Sequence, residues 1–357
     1  MHDFLIIGGG IAGVSLAARL SAHGSVQLLE AEEHLAHHAS GRSAALYEPR
    51  YGAPAVVGLS LASEAWFRQS GTLSPRGLLM VAPEAERESF FEDLEAMGFH
   101  QIPPEQALEM IPILRREGLD YAGYAPHAED IDTDLLLQGF AREARRQGAV
   151  FTTRARVDQI RRLPGGWQVS WPGGEAAARI LINAAGAWVD QIAELAGVAS
   201  PGFAPLRRSM ARIPAPAGVD VSRWPMLFGP GEGWYMKPDA GALIVSPAEE
   251  DPVDAPHDAW ADDMVLAEGL ARYEASVTEP VTRLLASWAG LRTFSPDRVP
   301  VIGFAPDVPD FFWLAGQGGY GFQTCPAASQ LAADLLLGRD PQIAAELVEQ
   351  LSPSRFG

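Results

Sequence analysis

Two clusters of glycine carry the clearest chemistry in the sequence. Near the N-terminus, "FLIIGGGIAGVSLAARL" contains Gly8, Gly10 and Gly13 spaced as G-x-G-x-x-G, and Glu30 follows the motif by about twenty residues. Each part has a mechanical reason: Gly8 permits a tight turn, Gly10 lets the backbone approach a pyrophosphate, and Gly13 lets a helix pack close against a strand. The N–H groups that open the helix present a partial positive charge to phosphates, and the Glu30 carboxylate suits ribose hydroxyls. This is the chemistry of dinucleotide binding. Near the C-terminus, "FFWLAGQGGYGFQTCPAASQLAADLLL" repeats the strand, turn and helix pattern around Gly316, Gly318, Gly319 and Gly321.

Such turns need strands and helices to hold them. Residues 4–7 form a β-rich run, 11–22 have helical spacing, and 26–30 read as a second strand, together a βαβ unit. From 74 to 130 the texture changes to helical stretches ("ERESFFEDLEAMGF", "PEQALEMIPIL") and short apolar strands ("GLLMVA", "AGYAP"). "DTDLLLQGFAREARRQGA" reads as a helix with Asp132 or Thr133 as N-cap. "ARILINAAGAW" reads as a strand ending at Ala185-Gly186, with the helix "WVDQIAELAG" after it. Residues 207–291 read as strand-rich, and the closing segment returns to the βα pattern. Nucleotide-type segments thus recur at the start, middle and end. The expected fold class is α/β. A discontinuous Rossmann-like cofactor domain takes residues 1–73, 131–204 and 293–357, and an α+β substrate domain with a mixed or antiparallel sheet takes 74–130 and 205–292. The first glycine turn would hold the diphosphate of a long dinucleotide, and the last would meet its far end.

The formal net charge of −18 argues against a nucleic-acid partner, which needs a basic face to displace phosphate counterions. One cysteine, Cys325, excludes an internal disulfide and a multi-cysteine metal site, and fits a reducing compartment. The apolar start has no basic n-region, and its glycines and Arg19 break the run that a membrane span needs, so no integral membrane segment is expected and the cytoplasm is the expected location. "HLAHH" (His34, His37, His38) lacks an acid or cysteine at helical spacing, and no metal is expected. There is no G-x-S-x-G nucleophile elbow.

By the order and spacing of "GGGIAGVSLAARLSAHG", "SGRSAALYEPRYG", "DIDTDLLLQGF", "LINAAGAWVDQIAELAGV", "WYMKPDAG", "WAGLRTF" and "AGQGGYGFQT", the chain resembles the D-amino acid oxidase superfamily of FAD-dependent oxidoreductases over essentially its whole length. Within it, the nearest resemblance is to the bacterial D-arginine dehydrogenases. The resemblance implies noncovalent FAD. It places Gly8, Gly10, Ile11, Ala12, Gly13, Glu30 and Ala31 at the diphosphate and ribose, with Val157, Ala185, Gly186 and Trp188 beside the adenosine. It also places Ser40, Gly41, Arg42, Ser43 and Ala44 along the flavin, and Gly318, Gly319, Gly321, Gln323 and Thr324 against the isoalloxazine, with a helix starting near Gln323. By the same resemblance Arg292 and Tyr235 clamp a substrate carboxylate, Arg208 contributes further, the Gly319 carbonyl accepts from the amine, and Tyr51 and Tyr320 are lid or wall residues. An arginine among Leu291, Thr293 and Phe294 is costly to bury unpaired, and its fork matches a carboxylate. Arg208, beside Arg207, also reads as a solvated strand residue.

The implied activity is oxidation of the Cα–N bond of an amino acid by hydride transfer to flavin N5, giving an imino acid and then a 2-oxo acid and ammonia. A quinone, a carrier or O2 would take the electrons. Three residues depart from the D-arginine pattern: Leu78 replaces an expected acid, Leu46 an expected histidine, and Glu48 a small polar residue. A buried cation without a partner is costly, so Leu46 and Leu78 point to a neutral, hydrophobic D-amino acid. Glu48, otherwise readable as a surface glutamate, keeps a basic substrate open if it faces inward. The alternatives are oxidation of a secondary amine (sarcosine, proline or an opine) or of a 2-hydroxy acid, or a noncatalytic FAD-binding subunit.

Overall fold

Strands that are apolar on both faces must be covered on both faces, and this governs the first sheet. The computed structural model describes the backbone of residues 1–357 and every side chain except that of Glu232. In it, His2–Ile7 runs parallel to Val26–Leu29 on one side and to Gly174–Asn183 on the other. Val150–Thr152 and Val308–Ala315 extend the parallel set. Helices Ile11–Leu20, Thr133–Arg146 and Gly321–Leu336 cover one face through a core that includes Leu16, Phe140 and Leu331. The other face is closed by the antiparallel hairpin Gln159–Leu163/Gly166–Trp171 and the helix Val189–Ala196, around Trp167 and Trp313.

Local chemistry sets the boundaries. Asp132 caps Thr133–Arg146, its carboxylate accepting from Leu135 N–H at 2.9 Å, and Arg145 and Arg146 in the last turn complement the helix dipole. The first helix ends at Leu20 rather than at residue 22, and the second strand at Leu29 rather than at Glu30. The strand expected to reach Ala185-Gly186 stops at Asn183, and Gly186–Trp188 forms a 3-10 turn. Gly321, not Gln323, opens the last long helix.

The second sheet is mixed and, among the described residues, nine-stranded. Its order runs Asp251–Pro252, Ala204–Pro214, Ala242–Ser246, Tyr235–Asp239, Met226–Phe228, Leu78–Ala82, Tyr121–Ala125 and His100–Ile102, with Ala286–Phe294 also paired to Ala204–Pro214. The stretch expected to be strand-rich, 207–291, also contains a helix, Asp263–Ser276. Gly269 at its centre weakens the helical signal. Packing requires that glycine, because an added Cβ would lie 2.3 Å from Pro247.

Register then decides which side chains meet. Leu79, Leu227, Met236, Val245 and Ala211 follow one another across paired strands and enter one apolar core with Trp224 and Tyr273. Their neighbours must point the other way, since side chains alternate along a strand. Leu78, Met226, Phe228, Tyr235, Arg208 and Arg292 accordingly share the opposite face, which fronts a cavity. No helix among the described residues is long and apolar enough to cross a membrane.

Gly8 joins this fold to the cofactor groove. Its φ is 116°, and a Cβ there would lie 2.2 Å from the Ala184 carbonyl oxygen, a backbone atom with little room to yield. Gly8→Ala is expected to lower unfolding stability by about 2 kcal/mol or more and to loosen FAD by at least about tenfold. Thermal melts and flavin release on dilution measure the two effects.

Candidate active site

Three adjoining cavities form one groove. The first is walled by Gly8, Gly10, Glu30, Ala31, Ser40, Arg42, Val157, Ala185, Gly186 and Trp188. The second shares Gly10, Ser40, Arg42 and Gly186 with it and adds Ile11, Ala12, Ser43, Ala44, Arg208, Arg292, Gly318, Gly319 and Gly321. The third, of about 410 Å³, shares Ser43, Ala44, Arg208, Arg292 and Gly319 with the second and adds Leu46, Glu48, Tyr51, Leu78, Tyr235, Tyr320 and Gln323. The groove therefore runs through shared walls, with glycine on the first two cavities and arginine, tyrosine and apolar side chains at its far end.

The first end has the construction a dinucleotide needs. Gly10 occupies the N-cap of Ile11–Leu20 with no side-chain cap, and Ser40 Oγ accepts from Ile11 N–H at 3.0 Å. Glu30 is buried, with Oε2 accepting from Gly9 N–H at 2.7 Å and Oε1 from Glu32 N–H at 2.9 Å. The carboxylate thereby holds the glycine turn in shape, and each oxygen keeps acceptor capacity for a ribose hydroxyl. Gly13 serves packing: a Cβ would lie 2.1 Å from the Gly8 carbonyl oxygen. These residues fit an FAD diphosphate and ribose.

Several expected cofactor residues act as ties. Arg42 lines the groove, but its Nη1 donates to the carbonyls of Ala259 and Ala289 at 2.8 Å each, and its Nη2 pairs with Asp258. The bond from Arg42 is the leading reason the Asp258 carboxyl titrates below its usual range. Gly41 is absent from the groove wall; a Cβ there would strike the Ala36 carbonyl oxygen at 2.2 Å. Thr324 is also off the wall, buried with its hydroxyl donating to the Tyr320 carbonyl at 2.8 Å. Gln323 does reach the third cavity, where its Oε1 accepts from Glu48 N–H at 3.2 Å. Cys325 is buried, and desolvation pushes its thiol well above the ordinary range.

At the far end, strand pairing places Arg292 opposite Leu206 and Arg208 opposite Gly290, so the two arginines are diagonal neighbours on one face. Arg208 is 3% exposed and not solvated; its Nε donates to the Glu249 carbonyl at 2.7 Å. Tyr235 is buried, and its hydroxyl has no hydrogen-bond partner among the described residues. Gly319 lies directly over Arg292, since a Cβ there would fall 2.8 Å from the guanidinium carbon. Tyr51 and Tyr320 pack ring to ring at 5.3 Å beside this pair. Glu48 is 2% exposed rather than on the surface, with Oε2 2.8 Å from His127 Nε2.

Lys237 went unrecognised in the sequence. Its Nζ donates to the Ala44 carbonyl at 2.5 Å and lies 2.8 Å from Asp130 Oδ1, tying the second sheet to the groove-lining segment 40–44. Its two-residue spacing from Tyr235, which puts both on one strand face, was the available signal. The histidines at 37 and 38 do meet an acid: Glu32 joins them with ligand atoms within 4.8 Å. Arg156 already pairs with Glu32 at 3.1 Å, and Asp258 lies 3.6 Å from His37 and 3.8 Å from His38, so the cluster forms a polar strap at the groove edge.

Comparison with known proteins accords with this geometry. The family model described as FAD dependent oxidoreductase (DAO) matches residues 3–335. Mitochondrial dimethylglycine dehydrogenase of Homo sapiens is 25% identical over 389 residues, covering 99% of this chain and 44% of that protein. Glycine oxidase of Geobacillus kaustophilus is 27% identical over 236 residues, covering 65% of this chain and 60% of that protein. The chain spans less than half the length of the dimethylglycine dehydrogenases it matches. The crystal structures of Geobacillus kaustophilus glycine oxidase and of L-proline dehydrogenase from P. horikoshii each align with a TM-score of 0.84, at 23% and 22% identity. They cover 98% and 99% of this chain and 98% and 97% of their own, which establishes the α/β fold. These relatives are not D-arginine dehydrogenases, so the agreement with the sequence reading is at the level of the superfamily. With the family model spanning nearly the whole chain and a groove shaped for a dinucleotide, the protein belongs to the FAD-dependent oxidoreductase (DAO) family, and FAD is its cofactor.

Proposed function

We propose that the protein oxidises a C–N bond of a small amine that carries a carboxylate, with an N-alkyl amino acid as the favoured substrate class. The observation that carries this reading is the buried, unpartnered Tyr235 hydroxyl in the same cavity as Arg292 and Arg208. Leaving a buried hydroxyl unpaired costs about 1–3 kcal/mol, and a carboxylate on the arginine fork would satisfy it. Dimethylglycine, glycine and L-proline, which the names of the relatives specify, are all amines that bear a carboxylate. FAD, when bound, supplies the two-electron acceptor. Arg292 and Tyr235 fix the carboxylate, and the Gly319 carbonyl orients the amine. The apolar wall of Leu46, Leu78, Met226 and Phe228 takes the N-substituent or side chain, so that one carbon is presented to the groove. No strong protein base is needed if the amine arrives neutral. The electrons pass on to a quinone, a carrier or O2, and FAD is held without a covalent bond.

A second reading, oxidation of an apolar D-amino acid, draws support from the size and lining of the third cavity, about 410 Å³ with Leu78, Met97, Met226 and Phe228 on its wall. Anaerobic bleaching of the visible flavin band separates the two. Faster bleaching by sarcosine, dimethylglycine or proline is expected, and faster bleaching by D-leucine or D-phenylalanine transfers the assignment to D-amino acids. Bleaching by lactate alone would make it a hydroxy-acid enzyme, and silence toward every amine would leave a noncatalytic flavoprotein.

The clamp has its own tests. Arg292→Met is expected to lower kcat/KM by about a hundredfold or more, and Tyr235→Phe by about tenfold. Gly319→Ala, which pushes on the tip of Arg292, is expected to raise KM by about tenfold while leaving the melting temperature nearly unchanged. Steady-state kinetics with the best amine and thermal melts of the loaded enzyme measure all three.

A further inference from the structure

Three arginines on the wall of the substrate cavity converge on one carboxylate. Glu250, in the turn after strand Ala242–Ser246, places Oε2 2.7 Å from Arg298 Nη2 and Oε1 3.3 Å from Arg208 Nη2. Its distance to Arg292 Nη1 is 4.0 Å, beyond hydrogen-bond length. Arg208, Arg292 and Arg298 all line the cavity. The turn is anchored on either side. Glu249 accepts from Arg208 through its carbonyl and from Ser209 N–H through its side chain at 2.5 Å, and Asp251 pairs with Arg207 at 3.0 Å. Arg298 is pinned separately, with its guanidinium 3.9 Å above the ring centroid of Phe294.

We propose that Glu250 is a specificity-determining residue that restricts the pocket to substrates with a single carboxylate. This rests on the carboxylate clamp assigned to Arg292 and Tyr235. Glu250 engages Arg298 and Arg208 at hydrogen-bonding distance, so the charge it offsets belongs to the arginines beside the clamp. With Glu250 neutral, Arg298 stays on Phe294, which leaves a second cationic locus on the cavity wall that holds Arg292. A ligand with two carboxylates would then gain an ion pair with the half-exposed Arg298 guanidinium in addition to the one at Arg292. A ligand with one carboxylate gains little.

The test uses the FAD-loaded protein and two probes without an amine, propionate and succinate, titrated by their perturbation of the visible flavin spectrum. Glu250→Gln, which keeps the shape, is expected to tighten succinate by about fivefold while moving propionate by less than about twofold. Glu250→Ala, checked by melting temperature and flavin content, repeats the measurement should the glutamine variant lose its fold. An equal change for both probes, no change for either, or loss of both would overturn the proposal, the last because Glu250 would then be a brace for the clamp. Arg292→Met is run in parallel. If it leaves propionate binding intact, the clamp assignment has failed, whereas loss of propionate binding in that variant together with unaltered selectivity in Glu250→Gln overturns the inference about Glu250 alone.

Discussion

The candidate site depends on the antiparallel register between Ala204–Pro214 and Ala286–Phe294. Arg208 stands opposite Gly290 and Arg292 opposite Leu206, and a slip of one residue in either strand would replace its arginine on the cavity face by a neighbour, Arg207 or Ser209 on one strand and Leu291 or Thr293 on the other. Burial of Leu79, Leu227, Met236, Val245 and Ala211 in one apolar core with Trp224, Trp234 and Tyr273 on the far side of the same sheet fixes which of its faces meets the groove. The hydrophobic effect thus positions the charged groups indirectly. Each apolar residue that must be inside commits its neighbour to the site.

Around that sheet, charged side chains join segments distant in sequence. Arg42 bridges the groove-lining segment 40–44 to Asp258 and to the strand that carries Arg292, and Lys237 bridges it to the strand that carries Tyr235. Glu30 shapes the glycine turn. The groove wall is drawn from the start, middle and end of the chain, so a ligand that binds across it favours the assembled state over any partly folded one. Gly13, Gly41 and Thr324 illustrate the division of labour: none lines the groove, and each packs close to a backbone segment that shapes it.

The chain is strongly acidic, yet its pocket end gathers Arg208, Arg292 and Arg298. Such a concentration would attract any small anion, and Glu250 tempers it within a few ångströms. Glu249, beside it, is buried enough that desolvation raises its carboxyl above the usual range, an effect its bonds to Ser209 only partly oppose. A turn with two adjacent glutamates, one reaching the arginines and one held against the sheet backbone, cannot be told from a solvated acidic loop by composition.

Much of the architecture was legible in the residues. The glycine spacing declared the tight turn between strand and helix because its close backbone packing admits few other residues, and the alternation of strand and helix declared the α/β class. The start of the helix at Asp132 or Thr133 was legible for the same reason, since a helix start needs a local acceptor, and the structure gives that role to Asp132. These are short-range requirements, written where they are met. The helix Asp263–Ser276 was obscured because Gly269 answers to Pro247, a contact set by packing rather than by local propensity. The inward burial of Glu48, the use of Arg42 and Lys237 as ties, and the meeting of Glu250 with Arg208 and Arg298 were decided only by tertiary structure. Each depends on strand register and on which segments are brought together, and a charged residue carries the same local signal whether it faces water or a partner.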